Sequence, residues 1–226
     1  MRLPQRVMYR SFMLALRAYQ GLFMDLRVHG RARIPPGPKI FAQNHVSSTD
    51  PYWVLPLLPE PVHVIIGPGY QSKVAGWVLD RFEQINATPA HRKTAVDEAV
   101  RHLLRGESIY TAPEGDIQER FTLGRFYPGV ARIYRRTRAP IIPIALAAPK
   151  RALRAFPRFD IDVEGRIYKA VFVLRGPYAV SFGEPFMPEI RKDVDETTDN
   201  ERITEELKRN MERLLDELRR TALIGE

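Results

Sequence analysis

Short apolar runs alternate with amphipathic stretches along most of the chain. Residues 39–43, 62–66, 108–112 and 141–145 are compact runs rich in β-branched and aromatic side chains, bounded by turn residues, and predict buried strands. Between them, residues 70–79, 94–104 and 128–138 carry apolar positions at helical spacing, and Asp50-Pro51 opens a further helix through Leu58. Strands alternating with helices predict an α/β fold, a mostly parallel mixed sheet covered by helices. Two later runs, 170–174 and 178–182, are expected to extend that sheet, as antiparallel strands.

A helix is predicted at each end. Over residues 1–24, Met8, Phe12, Leu16, Tyr19, Phe23 and Leu26 form one stripe, and Arg2, Arg6, Arg10 and Arg17 cluster on another face. Such an N-terminal amphipathic helix suits a membrane interface, with arginines at anionic headgroups and aromatics at the acyl boundary. A core-packing helix with a solvated basic face fits the pattern equally well. The uncharged stretches between arginines fall far short of the ~20 apolar residues of a spanning helix. A signal peptide is not expected, since a continuous apolar centre and a small-residue cleavage site are missing. At the other end, Ile203, Leu207, Met211, Leu214 and Leu218 recur on one face, with Thr198 and Glu201 as a capping box, and predict a C-terminal helix. The division is a membrane-interface helix over residues 1–27 and an α/β domain over residues 28–226.

Composition narrows the function classes. With 44% hydrophobic and 27% charged residues, neither disorder nor a membrane bundle is indicated. The chain has no cysteine, which excludes disulfides, thiolate zinc sites and a cysteine acyl-enzyme. The net charge of +8 attracts anions, and nucleic acid, anionic lipid, coenzyme A phosphates and acidic carrier proteins all qualify. The segment from Glu189 onward is acidic on balance, so the remainder is more basic than the total implies.

Two polar loops follow predicted strands, at the sheet edge where α/β proteins collect ligands. One is Asn44-His45-Val46-Ser47-Ser48-Thr49-Asp50; the other is Pro113-Glu114-Gly115. An Asp five residues after a His, across a short loop, can fold back to hold one imidazole nitrogen while the other takes a proton. Asp50 before Pro51 is also a good helix N-cap, and its two oxygens allow both roles. His29, His63, His91 and His102 show no ligand spacing with carboxylates, so no metal is expected. Gly67-Pro68-Gly69 lacks the third glycine of a dinucleotide loop and reads as a turn.

The run from Phe41 to Pro51, followed by Ala112-Pro113-Glu114-Gly115 and then Ala139-Pro140-Ile141-Ile142-Pro143-Ile144, resembles the ordered signature of the glycerolipid acyltransferases. The lysophosphatidic acid acyltransferases are the best-known branch of that family. Gly183-Glu184-Pro185 resembles a late family feature, so the similarity covers about residues 26–187. The resemblance implies that His45 deprotonates an acceptor hydroxyl, that Asp50 orients it, and that the hydroxylate attacks an acyl thioester directly. Glu114 and Gly115 match the family's acceptor-binding block. No cofactor is implied beyond acyl-CoA or acyl carrier protein as the donor. Expected partners are an anionic membrane surface on its cytoplasmic side, that donor, and a lysolipid or glycerol-phosphate acceptor, with no nucleic acid.

Two departures mark the acceptor side. The family commonly follows Glu-Gly with Thr-Arg, its arginine associated with the acceptor phosphate, whereas this chain continues Asp116-Ile117-Gln118-Glu119-Arg120. Arg120 and Arg125 are the candidates to replace it, since a guanidinium matches phosphate through its planar donor fork. The usual Gly-rich block ending in arginine is not matched at residues 83–88, and Arg92 is the nearest substitute. The rival readings are a lipid-binding module without catalysis and a basic nucleic-acid-binding protein.

Overall fold

The computed structural model describes residues 3–71, 73–117 and 122–222. Helix α1 (Leu3–Phe23) runs into strand β1 (Met24–His29), followed by β2 (Ile40–Gln43), α2 (Asp50–Val54), β3 (Val62–Ile66), α3 (Lys73–Arg81) and β4 (Ile85–Asn86). Then come α4 (Arg92–Leu104), β5 (Ser108–Thr111), α5 (Gly129–Thr137) and β6 (Ile141–Ala147). Four short strands, β7 (Leu153–Ala155), β8 (Ile161–Val163), β9 (Arg166–Tyr168) and β10 (Val171–Val173), precede β11 (Gly176–Phe182) and α6 (Glu196–Ala222).

The main sheet has seven strands in the order β1-β11-β6-β2-β5-β3-β4. From β6 to β4 all neighbours are parallel, β11 is antiparallel to β6, and β1 runs parallel to β11. This is the mostly parallel mixed sheet that the alternation predicts. Every residue of β2, β5 and β6 is buried, because helices cover both faces and leave those strands no solvent side. Ile40 and Ala42 of β2 join the apolar layer under α4, α5 and α6, while Phe41 joins the opposite layer with Trp53, Val54, Tyr178 and Phe182.

Helix α6 buries Ile203, Leu207, Met211, Leu214 and Leu218, as its spacing predicts. Its cap differs. Asp195 accepts the Thr197 and Thr198 amides at 2.9 and 3.0 Å and also the Thr198 hydroxyl, so Asp195, not Thr198, starts the helix. The carboxylate of Asp199, fully buried, is held between Arg135 of α5 and Arg202 and ties α6 to α5.

Helix α1 lies against the body of the protein, but not through the whole predicted stripe. Tyr9, Met13 and Gln20 are buried, Tyr19 stacks on Trp53 at 5.4 Å, and Gln20 Nε2 donates to the Trp53 carbonyl. Met8, Phe12 and Phe23 of the stripe stay exposed, as do Val7, Leu14 and Leu22. Arg17 leaves the expected basic face and donates through Nε and Nη2 to the Pro56 carbonyl. The helix is apolar on two sides, so the body takes one and the other remains outward. Leu26 lies beyond the helix, in β1, where the stripe and the strand alternation overlap.

The run at 170–174 does not extend the main sheet. The place beside β6 is taken by β11, and β10 instead pairs with β7 in a separate two-stranded sheet, while β8 pairs with β9 in another. This insertion between β6 and β11 grips the first polar loop: Ser48 N donates to the Val171 carbonyl at 2.7 Å, and Thr49 Oγ1 exchanges hydrogen bonds with both backbone groups of Val173.

Candidate active site

Strands β2 and β5 are adjacent and parallel, with Ala42 opposite Thr111, so the loops that follow them leave the same edge of the sheet. Asn44 fixes where the first loop begins. Its carboxamide donates to the Leu146 carbonyl at 3.0 Å and accepts the Leu146 amide at 2.7 Å, so a side chain continues the ladder after the β2 backbone has turned away. The next residue, His45, is thereby released from the sheet with its ring partly exposed.

The Asp50 carboxylate is fully buried and faces back into the loop. Oδ2 accepts His45 Nδ1 at 2.9 Å, the Val46 amide at 2.8 Å and the Ser47 amide at 3.0 Å. Oδ1 accepts the Ser47 hydroxyl at 2.7 Å and the Tyr178 hydroxyl at 2.8 Å. A buried carboxylate is tolerable only when its acceptor sites are filled, and here hydroxyl, amide and imidazole donors fill them. The helix-cap role fails on the same geometry. Thr49 occupies the cap position of α2, with no side-chain cap bond, while Asp50 is the first helical residue.

Because Asp50 only accepts, the hydrogen of His45 belongs on Nδ1, an assignment made from the hydrogen-bond network. The lone pair then sits on Nε2, which meets no hydrogen-bonding partner among the described residues. An oriented neutral imidazole with one open basic nitrogen can accept a proton from a hydroxyl brought to it.

Glu114 stands behind this pair. Its Oε2 accepts the His45 amide at 2.7 Å and its Oε1 the Gly124 amide at 2.6 Å, so both oxygens are spent on the backbone. Burial raises the Glu114 carboxyl above its ordinary pKa, opposed by the Gly124 and His45 amides, which favour the anion. Gly115 follows at φ +67°, a left-handed turn in which an added Cβ would approach the Tyr127 ring to 3.4 Å. Glu114 thus joins His45 and Asp50 as a unit, and Gly115 is exposed beside it. Arg125 is exposed too, with its guanidinium 5.8 Å from the Tyr127 ring centre. Arg120 lies outside the described residues. Asp116, at the departure from the family pattern, pairs with Arg166 of β9 at 2.8 Å.

Sequence reasoning missed Tyr178, Asn44 and Ser47 as supports of the pair. Tyr178 carried a signal: a tyrosine alternating with Val180 and Phe182 in a buried strand needs an acceptor for its hydroxyl.

Compared by sequence with curated proteins, the chain matches none of them. Its fold is similar to the crystal structure of the 1-acyl-sn-glycerophosphate (LPA) acyltransferase PlsC from Thermotoga maritima, with a TM-score of 0.63 and 20% identity, covering 93% of this chain and 81% of that one. The family model named Acyltransferase matches residues 25–147, a span that contains His45, Asp50 and Glu114. The chain belongs to the acyltransferase family.

Proposed function

We propose that this acyltransferase moves a fatty acyl group from an acyl thioester, on coenzyme A or acyl carrier protein, to a hydroxyl of a glycerolipid-type acceptor, with lysophosphatidic acid as the first candidate. The observation that carries the reading is the 2.9 Å bond from His45 Nδ1 to a buried Asp50 carboxylate, which leaves Nε2 open at the sheet edge. His45 Nε2 takes the acceptor hydroxyl proton as its oxygen attacks the thioester carbonyl. The tetrahedral intermediate then collapses, the C–S bond breaks, and the leaving thiolate recovers the proton from the imidazolium. Asp50 holds the ring and stabilises its charged form, the role of a carboxylate in any His-based proton relay. The ordered motifs around His45, Glu114 and Pro143 and the similarity to the LPA acyltransferase support the acceptor class. Phospholipid synthesis is the setting that this substrate pair implies.

On the acceptor side, Gly115 gives a backbone approach free of a side chain, and Arg125 supplies an exposed guanidinium for a phosphate. Glu114 shapes that wall through the His45 and Gly124 amides. The outward apolar side of α1, with exposed Arg6 and Arg10, suits docking on the cytoplasmic face of an anionic membrane. Among the described residues, no helix is long and apolar enough to cross a membrane.

The test is thiol release from acyl-CoA and acyl carrier protein with a panel of lysophosphatidic acid, glycerol 3-phosphate, lysophosphatidylcholine and monoacylglycerol, with products identified by mass. Acylated product with at least one lysolipid is expected, and its loss in His45→Ala. Turnover that survives His45→Ala would reject the base.

A further inference from the structure

The insertion between β6 and β11 touches both polar loops. Val171 and Val173 of β10 hold the His45 loop, while Arg166 of β9 meets Asp116, in the loop that follows Glu114. β8 also packs against the turn Pro68–Gln71, so the insertion meets the loops after β2, β3 and β5, all at one edge of the parallel strands. The β8–β9 hairpin is tight. Val163 pairs with Arg166, and the two residues between them, Glu164 and Gly165, both take positive φ, 53° and 83°, as the commonest two-residue hairpin turn requires. Asp162 accepts the Gly165 amide at 2.9 Å. Arg166 is thus the first residue after the turn, at the hairpin tip.

There Arg166 Nη2 donates to Asp116 Oδ2 at 2.8 Å, across 50 residues of sequence, and the guanidinium carbon lies 5.0 Å from the Tyr168 ring centre. Hydrogen bonding to Asp116, and then to Tyr127, raises the Arg166 pKa above its already high ordinary value. Tyr127 is also the ring that Gly115 faces and that the Arg125 guanidinium approaches to 5.8 Å, so Arg166 stands on the same wall as both. Its side chain is 53% exposed. A guanidinium has five N–H donors, and a carboxylate and a phenol leave some of them for a further anion. An ion pair this exposed adds little stability, whereas a phosphomonoester offers the same fork three oxygens and up to two negative charges.

We propose that Arg166 binds the phosphoryl group of the acceptor, and that Asp116 holds the guanidinium beside the Glu114 loop until that phosphate displaces it. The inference rests on the acyl-transfer reading above and names a residue that sets acceptor specificity within it. Asp116 and Arg166 then have opposed effects on an anionic ligand. The carboxylate repels the phosphate and competes for the fork; the guanidinium attracts it. A pair that only clasps the hairpin to the Glu114 loop behaves differently, because losing either partner opens the same contact. The phosphates of coenzyme A carry the same chemistry, so binding of acceptor and donor has to be measured separately.

Calorimetric titration of the full chain with a short-chain lysophosphatidic acid below its micelle concentration, and separately with coenzyme A, tests the site. Arg166→Ala should weaken lysophosphatidic acid binding at least about tenfold, and Arg166→Lys should recover part of the loss. Asp116→Asn keeps an acceptor oxygen for the Ile117 amide, which Asp116 Oδ1 binds at 2.8 Å, and should tighten that binding about threefold. In acyl transfer, the preference for lysophosphatidic acid over monoacylglycerol, as a ratio of kcat/KM values, should move in the same directions. Unchanged affinity in Arg166→Ala, or equal weakening by Asp116→Asn, overturns the proposal and leaves the pair a hairpin clasp. Weaker coenzyme A binding with lysophosphatidic acid binding intact overturns it in favour of the donor. If the unsubstituted protein acylates no acceptor, the reaction proposed above fails, and the titrations still decide on Arg166.

Discussion

Tyr178 donates its hydroxyl hydrogen to Oδ1 of Asp50 at 2.8 Å, reaching the His45 loop from a strand 128 residues further along the chain. The bond joins the antiparallel part of the sheet to the His45–Asp50 pair. Burial, and then the charge of Asp50, push the Tyr178 pKa far above the ordinary tyrosine range, so the hydroxyl is a permanent donor. Among the described donors to the Asp50 carboxylate, His45, Val46 and Ser47 belong to its own loop and Tyr178 comes from a distant strand.

Removing that donor should therefore be felt twice. Tyr178→Phe keeps the ring in its apolar layer but strips one hydrogen bond from a buried charge, a loss of about 1.5–3 kcal/mol in stability. Denaturant unfolding measures it. Turnover should fall about tenfold with little change in the acceptor KM, because His45 keeps its carboxylate but loses part of its fixed orientation. Full kcat in a destabilised Tyr178→Phe would confine the hydroxyl to a structural role.

Asp50→Asn is the sharper change. A carboxamide offers one acceptor oxygen where two are used, and its NH2 would meet either the Val46 and Ser47 amides or the hydroxyls of Ser47 and Tyr178. With NH2 facing His45, the ring is driven to the tautomer whose Nε2 carries hydrogen and cannot act as a base. By analogy with other His-carboxylate pairs, kcat should drop by about 10³–10⁴. Single-turnover acyl transfer separates this from weakened substrate binding. A kcat within about tenfold of the unsubstituted enzyme would show that the carboxylate is not needed to set the tautomer.

Glu114 leads to a pH prediction. Its folded-state pKa is raised above the unfolded reference of 4.5, chiefly by burial, so the folded protein holds this proton more firmly than the unfolded chain. Its stabilising contribution is full below the unfolded value and is lost as pH rises through the folded one. Glu114→Gln cannot titrate. The unfolding free energy of the unsubstituted protein, relative to that variant, should therefore increase as pH falls from about 7.5 to about 5. Urea titrations of both proteins across that range measure it, and a flat difference would place Glu114 at an ordinary pKa. At neutral pH the carboxamide can accept only one of the His45 and Gly124 amides, so kcat should also fall.

Legibility of the fold followed the length and purity of each signal. Residues 62–66 predict β3 with its observed bounds, because a run that is apolar but for His63, between Pro61 and Gly67, is too short for a helix. The face of α6 is equally plain, since its leucines repeat over many turns. Leu26 misled because an edge strand beginning directly after a helix has no turn residue to separate the two periods. Asp195 was missed as a cap because Thr198 and Glu201 form a tidier local pattern, and three residues decide little. In the site, His45, Asp50 and Glu114 were visible as motif residues, but the wiring was not. Glu114 reads as a residue that meets the acceptor, yet the fold spends both its oxygens on amides, one of them 69 residues away in sequence. The Tyr178 contact depends on strand order, which periodicity does not encode.

The exposed side of α1 permits a test of membrane docking that spares the fold. Leu14 and Leu22 are 63% and 77% exposed, whereas Tyr9, Met13 and Tyr19 make the contacts to the body. Replacing both leucines with glutamate removes apolar surface that would enter the acyl boundary and adds charge that anionic headgroups repel. Partial burial of each leucine at an interface is worth about 1 kcal/mol, so the double variant should partition onto anionic vesicles at least about twentyfold less. Arg6→Ala with Arg10→Ala should instead weaken mainly the salt-sensitive part of binding. Cosedimentation with vesicles at two ionic strengths reads both effects, and activity on a detergent-dispersed acceptor should persist in all variants, since none of these residues touches the His45 loop. Unchanged cosedimentation of the double-glutamate variant would reduce α1 to a packing element.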